Sequence, residues 1–497
     1  MFFQSLISNT GEASFVLSRW IFLRLLGLIC LAAFISFWVQ AKGLVGSAGI
    51  LPMTSFLQRV SDYLGPSCYW RCPTVFWLNS SNAAIYVVCT IGVIASLMLT
   101  VGLAPIPALI VIWSLYLSIT VAGQQFMSFQ WDMLLIETCF LAVFLAPPQW
   151  MPGLGHESLA PVAARFLLWW LLFRLMFESG VLKLTSGDVN WSHLTALKYH
   201  YFSQPLPTWI GWYAHHLPGW FNRLSVLIVL IIEAGLPLFI FAWRPLRILA
   251  CSGIVFLMIL VMLTGNYTFF NPLTIALSLF LVDDAIWVKV LPDWLLNAIG
   301  YTGGVHASAG MFHTGVALAI ALLFVVVGGA HVLSAIFPRS DRLPKAEYML
   351  NILEPLRSLN SYGLFRVMTT VRHEIVVEGS IDGHTWLAYE FKYKPGNLYK
   401  RPGFVEPHQP RLDWQMWFAA LSSPEREVWF ENFLVRLLQG SHDVLSLISV
   451  NPFPDTPPRW VRAMYYDYEP TSMAEHRENG AWWKRKLLGT FFPEIQL

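Results

Sequence analysis

The chain has 497 residues, of which 56% are hydrophobic and only 12% are charged, and its mean hydropathy is +0.54. This composition excludes an average soluble globular protein and indicates an integral membrane protein. The formal net charge of +2 does not favour nucleic acid as a partner, and we expect none.

Charged residues are distributed unevenly along the chain. Residues 1–338 contain 24 Lys, Arg, Asp and Glu residues, whereas the shorter stretch 339–497 contains 38. A low charge density is typical of a segment surrounded by lipid, and a higher one of a segment that faces water. We therefore predict a polytopic transmembrane domain over residues 1–338 and a soluble C-terminal domain over residues 339–497.

Nine apolar runs in the first domain have about the length that crosses a bilayer. They cover residues 18–40, 83–103, 105–123, 131–146, 162–182, 224–243, 246–264, 270–290 and 312–337. This pattern predicts an α-helical multi-pass membrane bundle of about nine spans.

The C-terminal part mixes strand and helix patterns, which predicts an α+β domain containing a β-rich sheet. Residues 373–396 have the alternation of a β-hairpin, with the turn at Asp382 and Gly383. A helix is predicted to begin after Ser423. Residues 458–470 return to a strand pattern rich in tyrosine.

The fifth apolar run carries three charged residues into the bundle or its mouth, Arg174, Glu178 and Lys183. A charge at the centre of a membrane helix costs about 2.5 to 3.5 kcal/mol on insertion scales, so each needs a partner or a function. Arg174 and Glu178 lie four residues apart, which favours an ion pair between them. Lys183 follows Gly180 near the helix end, where it either pairs structurally or acts as a base.

Three further acidic residues fall within apolar runs, and they are Asp132, Glu137 and Glu233. The expected partner of each is an arginine of the bundle, namely Arg19, Arg24 or Arg174. Paired carboxylates also suit general acid and base catalysis. Lys183 and Glu178 are thus catalytic candidates, without a firm catalytic assignment.

The loop after the fifth run is rich in aromatic and ionisable side chains, among them Asp188, Trp191, His200, His215 and His216. Such a loop is typical of an aromatic belt at the membrane interface. A metal site or a lipid-headgroup site is the alternative for its histidines. We predict no cofactor and no metal site for the chain as a whole.

Cys68 and Cys72 lie four residues apart in a loop. They form a disulfide if that loop faces an oxidising compartment, and otherwise remain two free thiols.

One block of the C-terminal domain, residues 407–421, combines charged residues with large aromatics, and its candidates are Arg411, Asp413, Trp414 and Trp417. It forms either a buried corner between a strand and a helix or a surface that binds a client protein. The second interpretation rests on the frequency of exposed Trp and Arg at protein interfaces.

Several long blocks of the chain resemble the lipase maturation factor family. They are FMSFQWDMLLIETCFLAVFLAP (126–147), FRLMFESGVLKLTSGDVNWSHLTAL (173–197), YHYFSQPLPTWIGWYAHHLP (199–218), EAGLPLFIF (233–241), LTGNYTFFNPLTIALSLFLVDD (263–284) and PHQPRLDWQMWFAAL (407–421). The resemblance implies a membrane protein that assists the folding and assembly of secreted lipases or related exported enzymes, with membrane lipids as further partners. It implies the endoplasmic reticulum membrane in a eukaryote, the inner (plasma) membrane in a bacterium, and a lumenal or periplasmic C-terminal domain.

The membrane half is also remotely similar to the superfamily of the vitamin K-dependent γ-carboxylase. The likeness is carried by Gly180, Val181, Lys183 and Leu184, followed by Asp188 and Trp191 at a different spacing. Lys183 matches the catalytic lysine of the carboxylase. This similarity implies an alternative function, a membrane enzyme that acts on a lipid or quinone-like substrate with Lys183 as the base.

Overall fold

The computed structural model describes residues 14–153, 158–301, 309–337 and 351–496. The predicted domain boundary near residue 338 lies outside these residues. In the first half the helices are α1 (Val16–Trp38), α2 (Ala41–Val45), α3 (Met53–Leu64), α4 (Cys68–Arg71), α5 (Asn82–Val101), α6 (Pro105–Ala122), α7 (Gln130–Leu145), α8 (Val162–Thr185), α9 (Val189–Ser192), α10 (Ala196–Ser203), α11 (Trp209–His215), α12 (Gly219–Leu230), α13 (Arg244–Thr264), α14 (Phe270–Leu279), α15 (Asp284–Val290), α16 (Asp293–Ala298) and α17 (Met311–Ile336).

Among the residues that the structure describes, six helical segments are long and apolar enough to cross a membrane, so the expected count of nine is not confirmed. They are α1, α5, α6, α13, α17 and the segment Gly219–Phe241, in which α12 continues through a π-helical turn and a 3-10 turn. The predicted run 131–146 is α7, which has only 16 residues. The predicted run 162–182 is α8, which is not among the six because it contains four charged residues.

The predicted span 270–290 is wrong as a single helix. The structure divides it into α14 and α15, because the chain between them carries Asp283, whose carboxylate lies 2.5 Å from an Arg244 guanidinium nitrogen and 3.3 Å from one of Arg247. The next residue, Asp284, accepts hydrogen bonds from the backbone N–H groups of Val16 and Leu17. These contacts hold the first turn of α1, whose N–H groups have no partner within the helix.

Small residues allow α1 and α5 to lie close together. A Cβ atom added at Gly27 would lie 2.7 Å from the backbone nitrogen of Thr100, and one at Gly92 would lie 2.3 Å from the ring of Phe34. Close backbone approach through small residues is the usual way in which membrane helices pack.

Within the described residues, the second half contains four helices with complete bounds and six strands. Its helices are α18 (Arg411–Ala420), α19 (Val428–Leu438), α20 (His442–Leu445) and α21 (Met473–Asn479), and its strands are β1 (His373–Ser380), β2 (Leu387–Ala388), β3 (Glu390–Phe391), β4 (Ile448–Val450), β5 (Trp460–Pro470) and β6 (Trp483–Ile495). One antiparallel sheet has the order β2-β1-β5-β6, and β3 pairs with β4.

The predicted hairpin is confirmed, since β1 pairs with β2 in the register Glu378↔Ala388 around the turn at Gly383. The predicted tyrosine-rich strand is β5. The helix predicted after Ser423 is also present, although a 3-10 turn, Pro424–Arg426, precedes the first residue of α19.

The two halves share one hydrophobic core. A single cluster of buried side chains extends from Phe22 of α1 to Phe491 of β6 and includes α7, α8, α18 and α19. The C-terminal half therefore packs against one end of the helix bundle.

We expect Gly27→Ala to destabilise the protein by about 1 to 3 kcal/mol, because the added methyl group overlaps the backbone of α5. Gly329→Ala in α17 is the matched control, since a Cβ there meets no atom within 4 Å. It should be neutral or stabilise the helix by up to about 1 kcal/mol. Thermal unfolding in detergent micelles measures both, and equal melting temperatures for the two variants would contradict close packing at Gly27.

Candidate functional site at the interface of the two halves

Asp132 and Arg411 form a buried ion pair between the bundle and the C-terminal half. Two guanidinium nitrogens of Arg411 donate to the two carboxylate oxygens of Asp132 at 2.9 Å each, and both residues are fully buried. The Tyr116 hydroxyl donates to Asp132 at 2.6 Å, and Arg411 also donates to the carbonyl of Phe126 at 2.7 Å. Because a bidentate pair fixes orientation as well as distance, it sets the position of α18 against α7.

Glu137 and Arg174 form a second buried ion pair, which is completed by residues that follow the last span. Glu137 accepts hydrogen bonds from the Asn360 backbone and side-chain amide, each at 3.0 Å, and from the Tyr362 hydroxyl at 2.8 Å. Arg174 donates to the carbonyl of Asn360 at 2.7 Å. After α17 the chain thus returns to the bundle, where Asn360 contacts α7 and α8.

The predicted ion pair between Arg174 and Glu178 is not formed. Arg174 pairs with Glu137, and Glu178 accepts a hydrogen bond from the Tyr362 backbone N–H at 2.8 Å. Spacing along one helix identifies neighbours, but a carboxylate on an adjacent helix approaches the guanidinium more directly.

We call residues 358–368 the docking segment, since they make these contacts and extend them to the loop after α8. Asp188 accepts a hydrogen bond from the Met368 backbone N–H at 2.5 Å, and the Trp191 indole donates to the carbonyl of Phe365 at 3.0 Å. Two residues singled out in the sequence therefore hold the C-terminal half in place.

A second stretch, residues 403–411, binds the ends of α1 and α13. Gln40 donates to the carbonyl of Gln409 at 2.6 Å and accepts from the Arg411 backbone N–H at 2.9 Å. Glu406 accepts from the Tyr267 backbone N–H at 2.5 Å. Burial raises the pKa of Glu406 to about 8, although this hydrogen bond opposes the shift.

Arg372 adds a third connection. Its buried guanidinium donates to the carbonyls of Phe202, Gln204 and Pro205 at 2.5 to 3.0 Å, and to the Glu374 carboxylate at 2.6 Å. One side chain immediately before β1 thus satisfies three carbonyl groups, one at the end of α10 and two in the loop that follows it.

The loop histidines contact protein groups. Tyr267 lies with its hydroxyl 3.2 Å from His200, and burial beside Lys183 lowers the pKa of His200 to about 4. The ring nitrogens of His216 lie 2.8 and 2.9 Å from the carbonyls of Trp212 and Thr471, and His215 lies 3.1 Å from the carbonyl of Lys198. Within the described residues no group of three or more potential metal ligands is assembled.

The block around Arg411 is buried. Asp413 is 2% exposed, Trp414 3% and Trp417 8%. Trp414 packs edge-on against Trp131, and the Trp417 indole donates to the carbonyl of Ser203 at 2.8 Å. The four candidates are buried, as the first interpretation predicts, but all of them lie in helix α18 and residues 401–410 before it form no strand, so the predicted corner between a strand and a helix is absent there.

Lys183 pairs with Glu233. Its ammonium lies 2.5 Å from the carboxylate of Glu233 and 5.3 Å from the centre of the Trp191 ring. Glu233 lies in the π-helical turn Ile231–Gly235, and a Cβ added at Gly180 would lie 2.6 Å from the backbone nitrogen of Ala234. Gly180 thus permits the close approach that brings the pair together.

Cys68 and Cys72, at the two ends of the short helix α4, are free thiols.

Residues 17–289 match the family model described as the lipase maturation factor transmembrane domain, and residues 358–493 match the lipase maturation factor C-terminal domain. The chain belongs to the lipase maturation factor family. It is 35% identical to lipase maturation factor 2 of Homo sapiens, over 97% of this chain and 83% of that protein. It is 35% identical to lipase maturation factor 2 of Gallus gallus (96% and 81%) and 32% identical to lipase maturation factor 1 of Mus musculus (98% and 88%). No solved structure matches the chain.

Several residues at the interface of the two halves carry no signal in the sequence. Asn360, Tyr362, Arg372 and Glu406 lie in the predicted soluble domain, where polar residues are common and carry no special signal. The clustering of unpaired charges in the apolar runs indicated that partners were needed, but did not identify them.

We expect Asp132→Ala and Arg411→Ala each to destabilise the protein by about 3 to 5 kcal/mol, because each leaves a buried charge without its partner. The double variant should cost less than the sum of the two, and unfolding in detergent measures this coupling.

Glu469→Ala is the control for this cycle, since it removes an exposed ion pair with Lys484. Its cost should stay below about 1 kcal/mol. Additive effects of Asp132→Ala and Arg411→Ala would contradict a direct interaction between the two halves at this position.

Proposed function

We propose that this protein assists the folding and assembly of secreted lipases or related exported enzymes, since its relatives are named lipase maturation factors. The observation that carries the proposal is the match of both halves to the two domains of the lipase maturation factor family. The buried ion pairs support it, because they join a membrane bundle and a C-terminal half into one body.

We place the client on the C-terminal half, which faces the lumen of the endoplasmic reticulum in a eukaryote or the periplasm in a bacterium. The C-terminal half contacts Ser36 and Gln40 at the end of α1, whereas Asp284 contacts its start. A helix of 23 residues is about 35 Å long, so these contacts lie at opposite ends of the bundle.

Strand β6 is the element that we propose for client binding. Within the described residues it has β5 as its strand neighbour on one side and none on the other. Its residues 484–488, with the sequence KRKLL, are all exposed. A free strand edge can add an extended segment of another chain through backbone hydrogen bonds.

The chemistry of β6 also indicates what such a segment carries. Lys484 and Lys486 are exposed, and Leu487 and Leu488 expose 51% and 47% of their surface. An extended client segment with acidic and apolar side chains would complement both features. Covering that segment before the client assembles would protect it from aggregation.

The function is tested by expressing the protein with a dimeric secreted lipase in animal cells that lack their own lipase maturation factor. We expect lipase activity per amount of secreted lipase to rise with the wild-type protein. An unchanged specific activity would overturn the proposed function.

The client site is tested in the same assay with Lys484→Glu/Lys486→Glu. We expect most of the gain in lipase activity to be lost, because the edge then repels acidic segments. Arg426→Glu/Arg459→Glu is the control, since it makes the same change of charge at two exposed positions of the C-terminal half outside β6 and outside the docking segment. Full lipase activity with the β6 variant, or an equal loss with the control, would contradict client binding at β6.

A further inference from the structure

A cavity of about 510 Å³ lies between α8, the segment Gly219–Phe241 and α13. Its lining is mostly aliphatic and aromatic, and its polar side chains include Lys183 with its partner Glu233, and His200 with its partner Tyr267. Apolar cavities of this size with a few convergent polar groups are typical of small-molecule sites.

One side of the cavity faces the bilayer. Phe221, Leu224 and Ile228 of α12 and Phe256 and Leu260 of α13 line it, and each of them is exposed. Exposed apolar side chains on membrane-spanning helices contact lipid. A molecule dissolved in the bilayer can therefore enter between α12 and α13 without crossing water.

The polar side chains at one end of the cavity can form further hydrogen bonds. An ammonium group has three donors, and among the described residues Lys183 has one hydrogen-bond partner, Glu233. The carboxylate of Glu233 accepts that single bond and is 13% exposed. A ligand group that both donates and accepts would bind this pair from the cavity side.

The charges at this end of the cavity disfavour a ligand with a charged head group. The Lys183 and Glu233 charges cancel each other, and His200 is neutral because burial lowers its pKa to about 4. An added carboxylate or ammonium would place an uncompensated charge in apolar surroundings, which is costly. A hydroxyl group satisfies both partners without that cost.

We propose that this cavity binds a neutral lipid with a free hydroxyl group, either a monoacylglycerol or a sterol. The hydroxyl contacts the Lys183 and Glu233 pair, and the apolar body lies between α12 and α13. The π-helical turn at Glu233 and the close approach at Gly180 build this end of the site. π-Helical turns are frequent at functional sites.

Photoreactive monoacylglycerol and photoreactive sterol, each added to the purified full chain in detergent, test the proposal. We expect one of them to label peptides of α12 or α13, and the probe that labels identifies the source of the hydroxyl. Absence of labelling in these helices with both probes would overturn the proposal.

Ile228→Trp fills the cavity from its lipid side and should reduce labelling by about tenfold or more. Leu238→Trp is the matched control, because Leu238 is an exposed residue of the same segment outside the cavity lining. It should leave labelling unchanged. An equal effect of the two variants would mean that the probes label only the lipid-facing surface, and would overturn the site.

Recognition of the hydroxyl group is tested by competition. Monoolein or cholesterol should displace the probe about tenfold better than methyl oleate, which lacks the hydroxyl, and better than oleate, which is charged. Lys183→Met/Glu233→Leu removes both charges together, so that neither remains buried alone, and leaves no side-chain group there that can bind a hydroxyl. In this double variant we expect methyl oleate to compete as well as monoolein.

Methyl oleate or oleate competing equally well in the wild type would overturn recognition of the hydroxyl. An unchanged preference in the double variant would overturn the role of the Lys183 and Glu233 pair. Neither result bears on lipase maturation, which is measured separately by lipase activity.

Discussion

Buried charges that have their partners in the other half of the chain are the constraint on which this structure depends. Asp132 and Glu137 lie on α7 at 0% exposure, and their partners include Arg411 and the docking segment. A buried ion pair is weak as a source of stability, but removal of one partner is strongly destabilising. The arrangement therefore specifies one relative position of the two halves more than it increases their stability.

This constraint explains why most of the residues singled out in the sequence have structural partners. The residues that contact the other half through side-chain hydrogen bonds are Asp188, Trp191, His216, Arg411 and Trp417. Lys183 is different, since its partner Glu233 lies within the bundle and the pair borders a cavity. The bundle thus contains polar residues of two kinds. One kind joins the two halves, and the other, the Lys183 and Glu233 pair, borders the cavity.

The sequence predicted local features well and partners poorly. Apolar runs marked the long helices of the bundle, and alternation around Gly383 marked the hairpin, because both signals depend on neighbouring residues. The pairs of Arg174 with Glu137 and of Lys183 with Glu233 join residues 37 and 50 positions apart, and no spacing rule identifies them. Strand β6 was missed because the stretch KRKLL groups its charges and leucines instead of alternating them.

The distance along the chain between Asp132 and Arg411, 279 residues, has a consequence for biosynthesis. The Asp132 carboxylate of α7 enters the membrane long before the ribosome has made Arg411, which neutralises it, whereas Arg174, the partner of Glu137, follows after 37 residues. Until then the nascent bundle holds a charge without its final partner, and it must either keep water at that end or postpone its closure. Completion of the C-terminal half is therefore the step that permits the bundle to close, so that a truncated or misfolded C-terminal half leaves an open membrane domain that quality control can recognise.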